Sequence, residues 1–183
     1  MSRTFRESLP SEWVKYLVVA LLSIALWIWA FGLYHAPKAT EKIELFFVGD
    51  VKNYSFEKDA AEAFDYLKKV EVSSANPNMG VAFEQKYSVV GMTASDVMLV
   101  PESIAVNTDC KRAFDVLQVT VGESFIQEGV AYGVYLSEGA MQRLSNYFRF
   151  VDGERYVAFA PASSVNAGGA TDHSFRFIEW LVR

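Results

Sequence analysis

Five polar side chains in this 183-residue chain stand where apolar runs stop, and their types could do chemistry together. Asp50 follows the run Ile43-Glu44-Leu45-Phe46-Phe47-Val48. Asn76 and Asn78 flank Pro77, shortly after Val70-Glu71-Val72. Glu102 and Ser103 follow Asp96-Val97-Met98-Leu99-Val100 and Pro101. If those runs are parallel strands of one sheet, their carboxyl ends share an edge. Open α/β sheets bind ligands just outside that edge. Two carboxylates and amides there suit a cationic or hydroxyl-rich group better than an anion, which the carboxylates would repel. A helix N-terminus at the same edge would pull the other way. The bland alternative is that all five are turn residues, because Asn, Asp, Gly and Pro favour turns on their own account.

Other candidates are weaker. His173 stands beside Asp172 at a helix start, a pairing that could serve a metal or an acid–base step, but no second ligand lies at useful spacing. Two solvated helix-start residues are the plainer reading. His35 sits at the end of an apolar run, where polar tips are common. Cys110, the single cysteine, has no histidine that sequence can nominate as its partner, and reads as a small buried hydrophobe. It also excludes a disulfide framework within the chain and a cysteine-rich zinc site. Gly168-Gly169 lacks a third glycine and a following lysine, so it reads as a flexible loop and not a phosphate cradle. No nucleophile elbow, Walker loop, HExxH or GxGxxG occurs. The expectation is no enzyme, no cofactor and no metal.

The elements that must position the five residues alternate in type. Residues 43–48 read as a strand, nearly continuous in apolar character as when both faces are covered. Ser55 would cap a helix over 56–69, with Ala60, Ala63, Phe64 and Leu67 on one stripe. A second strand at 70–72 runs towards the turn at 76–78. A helix over 79–90 carries Met79, Ala82, Phe83 and Val90 on one side, with Gly91 as its C-cap. A third strand covers 96–100. This β-α-β-α-β order predicts an α/β fold, three-layered, with a mostly parallel sheet.

The second half is less regular. Residues 104–128 have no clean period, although Phe114, Val116 and Leu117 call for burial. A strand at 130–136 precedes a helix over 138–147, capped by Ser137, with Met141, Leu144 and Phe148 aligned. A strand at 155–160 leads into a mobile loop, 161–171. Asp172 caps a last helix whose Phe175, Ile178, Leu181 and Val182 face inward.

All of this follows an anchor. Residues 16–34 carry no charge, with Lys15 before them and His35 after. As a helix they cover roughly 28 Å, close to the hydrocarbon thickness of a bilayer. Trp13 and Tyr16 at one end, and Trp27, Trp29 and Tyr34 towards the other, suit headgroup level. The run is too long and too bulky at its end for a cleaved signal peptide, and no cysteine follows it to carry lipid. Arg3, Arg6 and Lys15 precede it, against Lys38 and Lys42 after it, so the N-terminus is expected in the cytoplasm. Ser11 and Glu12 read as a helix start. The expected organisation is a cytoplasmic tail, 1–15, a transmembrane helix, 16–35, a linker, 36–42, and one extracytoplasmic domain, 43–183, of ordinary size. A net charge of −5 and the lack of a basic stripe argue against nucleic acid.

The wording of three segments resembles bacterial extracellular solute-binding proteins, the substrate-capturing subunits of ABC importers. These are IELFFVGD with VEVSSAN, then DVMLVPES, then AYGVYLSEGA with RYVAFAPASSVNAGGATDHSFRFIEWLV, where Ser174 stands in the place of an alanine ahead of Phe177 and Leu181. The resemblance implies half of a periplasmic-binding-protein-like fold. Full members close two lobes around a ligand, and this chain has material for one lobe. Two functions follow as expectations. One is an anchored module in the bacterial envelope that captures a small ligand or presents it to a transporter. The other is a bitopic membrane subunit whose lobe is a contact surface for an envelope protein.

Overall fold

The structure, a computed structural model, describes residues 5–119, 121–167 and 171–183. Arg3, Gly168 and Gly169 lie outside the described residues, as do the side chains of Arg6, Ser11 and Glu12. The chain divides into two compact units, Met1–Ala36 and Pro37–Arg183.

The first unit is one helix, α1 (Phe5–His35). It begins before Ser11, which therefore lies inside the helix and not at its N-cap. Its stretch Trp13–His35 is long and apolar enough to cross a membrane, and none of it is buried. The Ser23 hydroxyl is satisfied within the helix by the Val19 carbonyl at 2.8 Å.

The second unit is α/β. Its main sheet uses β1 (Lys42–Val48), β3 (Lys69–Ala75), β4 (Val97–Pro101), β5 (Ser124–Gln127), β6 (Val130–Tyr135) and β8 (Tyr156–Phe159), in the order β3-β1-β4-β8-β6-β5. The β1–β3 and β1–β4 pairs are parallel, as the alternating first half predicts. The pairs β4–β8, β8–β6 and β6–β5 are antiparallel, so the sheet is mixed and only its first-half core is parallel. A separate two-stranded ladder joins β2 (Asp50–Val51) to β7 (Phe148–Arg149).

Alternate residues of the central strands enter opposite hydrophobic clusters. Ile43, Leu45, Phe47, Val97 and Leu99 pack with α2 (Ser55–Glu62), α7 (Glu138–Leu144) and α8 (His173–Val182) through Phe56, Ala60, Leu144, Phe177 and Ile178. Phe46, Val48, Met98 and Val100 pack with Ala105, Cys110 and Phe114, from α5 (Glu102–Ala105), α6 (Cys110–Ala113) and the residue after it. The period of two along a strand forces this division. Phe175, Ile178, Leu181 and Val182 are buried as the stripe predicts.

Several local expectations are corrected. Helix α2 ends at Glu62, so Phe64 and Leu67 pack from turns, and Tyr54, not Ser55, is its N-cap. The helix after Asn78 runs through α3 (Val81–Lys86), a π turn (Tyr87–Gly91) and α4 (Met92–Ala94). Gly91 is inside it and buried, not a C-cap. A Cβ there would stand 2.8 Å from Met98 Cε and 3.1 Å from Phe46, so the residue is small because the helix lies close on the sheet. Val116 is exposed, while Phe114 is buried. The Ser137 hydroxyl accepts the Ala140 amide at 3.1 Å as expected. Asp172 holds the N-cap position of α8 without a side-chain bond.

Both sheet edges are guarded. At β3 the Glu57 carboxylate accepts the outward Val72 amide at 2.9 Å, and Lys86 Nζ donates to the Ser74 carbonyl at 2.6 Å. At the other edge β5 is short and its register shifts between Phe125 and Ile126. Such devices deter strand addition by other chains.

Candidate functional site

Because β3, β1 and β4 are parallel, Asn76, Asp50 and Glu102 do emerge on one edge of the sheet. Of the five candidate residues, Asp50, Asn76 and Asn78 meet there. The Asn76 side-chain amide donates to Asp50 Oδ2 at 3.0 Å, and Asn76 Oδ1 accepts the Asn78 amide at 3.0 Å. The second bond is an Asx turn, which fixes the amide and through it the carboxylate. Asp50, Asn76 and Asn78 line a concavity of about 370 Å³ together with Gly49, Pro77, Arg149, Phe150, Val151 and Asp152.

Glu102 and Ser103 share the edge but do not line this concavity, which corrects the expectation of a single crevice. Glu102 Oε1 accepts the Tyr135 hydroxyl at 2.6 Å. The Arg155 guanidinium lies 3.8 Å from the centre of the same ring and pairs with Glu123 at 2.6 Å. Burial first, and then the Glu102 bond, push the Tyr135 phenol up to about 12. The Ser103 amide donates to Glu154 Oε2 at 3.2 Å. These contacts tie the end of β4, β6 and the start of β8 together.

Tyr156 fixes the floor between the two clusters. Its hydroxyl donates to the Val48 carbonyl at 2.7 Å and accepts the Val151 amide at 3.0 Å. It is fully buried, and burial pushes its phenol up to about 12. The end of β1 and the wall formed by residues 150–152 are thereby pinned to each other. Phe150 adds an apolar surface, edge-on to the Tyr156 ring at 4.8 Å.

Arg149, Phe150, Val151 and Asp152 are the lining residues that the strand ends do not reveal. Their signal is the alternation Phe148-Arg149-Phe150 ahead of the turn pair Asp152-Gly153, which marks a short strand and its exit. The partner of that strand is not legible, because Val51 and Phe148 pair across most of the domain.

The remaining candidates have structural roles. His173 Nδ1 lies 2.9 Å from the Thr40 carbonyl, and its ring stacks on Tyr66 at 4.1 Å. His35 Nδ1 lies 2.9 Å from the Phe31 carbonyl within α1. Cys110 is free and buried, and burial pushes its thiol up to about 11. Among the described residues no cluster of His, Cys, Asp and Glu could hold a metal ion.

The loop expected to be mobile is instead tied down over 161–167. Asn166, fully buried, shares the two hydrogens of Nδ2 among the carbonyls of Ala39 and Lys42 and Asp96 Oδ1, at 3.1, 3.0 and 3.0 Å. Asp96 Oδ1 also accepts the Ser164 hydroxyl at 2.6 Å, and Asp96 Oδ2 accepts the Glu44 amide at 2.9 Å. This network sits at the amino edge of the strands, opposite the concavity. No family, curated protein or solved structure matches this chain, so the arrangement of side chains at the carboxyl edge has to carry the functional reading alone.

Proposed function

We propose that the chain is a membrane-anchored binding module that holds a small polar ligand at the carboxyl edge of its parallel strands. Residues 16–35 lie in the lipid bilayer, the N-terminus is cytoplasmic and the α/β domain is extracytoplasmic. The observation that carries the reading is the concavity where Asp50, held by Asn76, faces the same space as Asn78 and Arg149. Its volume of about 370 Å³ falls in the lower range of small-molecule sites. The α/β layering supports the comparison with one lobe of a solute-binding protein. Capture of a solute, or its presentation to a transporter, is the corresponding role. An open single-lobe site encloses its ligand on one side, which favours quick exchange over tight retention.

Full-length protein in detergent micelles, titrated with small amino acids, amines and sugars, is expected to show a saturable ligand. Asp50→Ala should abolish that binding while leaving the melting temperature nearly unchanged, since such partly exposed positions shift stability by less than about 0.5 kcal/mol. Binding that survives Asp50→Ala, or no binding by any solute, removes the proposal. The orientation has its own test. Protease added to intact spheroplasts should digest the domain and spare the N-terminal tail, and a protected domain would reverse the topology.

A partner protein at this edge is the second reading. Exposed Met79 and Val81 follow directly on Asn78, and the exposed Val151 lines the concavity. A complex lost on Met79→Glu, with no solute bound, would favour it.

A further inference from the structure

We infer that the ligand of this concavity is a compact zwitterion, with its ammonium on the Asp50 carboxylate and its oxyanion on the Arg149 guanidinium. The inference rests on the binding-module reading and names the chemistry of the ligand. Asp50 and Arg149 are direct partners across the β2–β7 ladder. Side chains opposed in this way leave the same face, with Cβ atoms roughly 5 Å apart, and opposite charges there ordinarily pair. Here they do not. The Asp50 carboxylate is turned to the Asn76 amide through Oδ2. The exposed Arg149 side chain makes no hydrogen bond or ion pair among the described residues. Asp50 Oδ1 likewise accepts no bond among them. A fixed anion and an unmatched cation therefore face one concavity without neutralising each other.

The remaining lining groups narrow the choice. Asp152 adds a second carboxylate, so a simple anion drawn to Arg149 would meet two negative groups. A simple cation drawn to Asp50 would meet the guanidinium. A molecule with both charges a few bonds apart satisfies both arms, and the side-chain amide of Asn78, which makes no hydrogen bond among the described residues, can bond its polar atoms. Arg suits an oxyanion because its planar fork binds two oxygens at once. Free amino acids and phosphoethanolamine carry this chemistry, and so does an ethanolamine lipid headgroup, which the membrane would supply.

The test is calorimetric titration of full-length protein in lipid-free micelles with glycine, O-phosphoethanolamine, methylammonium, acetate and glucose. Glycine or O-phosphoethanolamine should bind about tenfold or more tighter than methylammonium or acetate. Asp50→Asn and Arg149→Gln should each weaken the zwitterion by about tenfold or more, with unchanged melting temperature. Repeating the titration in nanodiscs of phosphatidylglycerol with and without phosphatidylethanolamine separates the sources. Competition by the ethanolamine lipid assigns the headgroup, and its absence assigns a free solute. Methylammonium binding as tightly as glycine, or indifference to Arg149→Gln, would overturn the inference. If glucose alone binds, and depends on Asp50, the zwitterion fails and the binding module stands. If nothing binds, both fail.

Discussion

Replacing Asp96 with alanine is expected to lower the unfolding midpoint of the full-length protein by roughly 10 °C. Three donors lose their acceptor at once: the Glu44 amide, the Ser164 hydroxyl and the Asn166 side-chain amide. Asp96 and Asn166 are buried, so water cannot take over freely. A buried donor left unsatisfied costs about 1–3 kcal/mol. Asn166 keeps the Ala39 and Lys42 carbonyls, and Ser164 keeps Ser174 at 3.2 Å, which brings the expected total to about 3 kcal/mol. In a domain of this size each kcal/mol moves the midpoint by about 2–4 °C. Asp96→Asn should fall between, since it restores volume and one acceptor but turns a donor towards a donor. Circular dichroism melting in micelles would decide it. An alanine variant that melts with the wild type would mean that apolar packing alone holds the amino edge.

The second large effect is expected at Gly49. Its φ of +145° is one that L side chains rarely adopt, and a Cβ there would stand 2.5 Å from the Phe47 ring and 2.7 Å from the Arg149 carbonyl oxygen. Neither neighbour can yield easily. Phe47 is fully buried between Phe148 and Tyr156, with ring centres at 4.6 and 5.7 Å, and the Arg149 carbonyl belongs to the β2–β7 ladder. Gly49→Ala should therefore cost about 3 kcal/mol, strain and overpacking together. It should also part Asp50 from Arg149, so that ligand affinity falls even at temperatures where the variant is fully folded. At Gly139, exposed in α7, a Cβ would meet nothing within 4 Å. Gly139→Ala is the control, with an expected gain of roughly 0.5–1 kcal/mol from helix propensity. Equal melting of the Gly49 and Gly139 variants would contradict the packing at the β1–β2 junction.

Much of the first half is legible from local pattern. The run at 43–48 is continuous in apolar character because both of its faces are covered, by Phe56 and Leu144 on one side and Phe114 on the other. The α8 stripe is readable because Phe175, Ile178, Leu181 and Val182 repeat at the helical period. The strand at 124–127 is not, although Glu128-Gly129 is a turn signal in retrospect. With φ of 52° and 80° the pair forms the tight hairpin turn joining β5 to β6. Glutamate is an uncommon residue for that conformation, and a four-residue strand is too short to display its period.

By itself the sequence determined the apolar helix, the alternation of strand and helix through the first half, and the inward residues of the first strand and of the last helix, but not those of 79–90, where Met79 and Ala82 are exposed. These depend on composition and on periods of two or 3.6, which are local properties. Three strands in that alternation must run parallel, so their polar ends had to share an edge. Only the tertiary structure decided the rest: that the second half of the sheet is antiparallel, that Arg149 lies opposite Asp50, that Glu102 turns to Tyr135, and that Asp96 gathers Asn166 and Ser164. Each of these joins residues far apart in the chain, and the pairing follows from how the two faces of the sheet fill. A carboxylate's neighbours across the sheet leave no mark at its own position in the sequence.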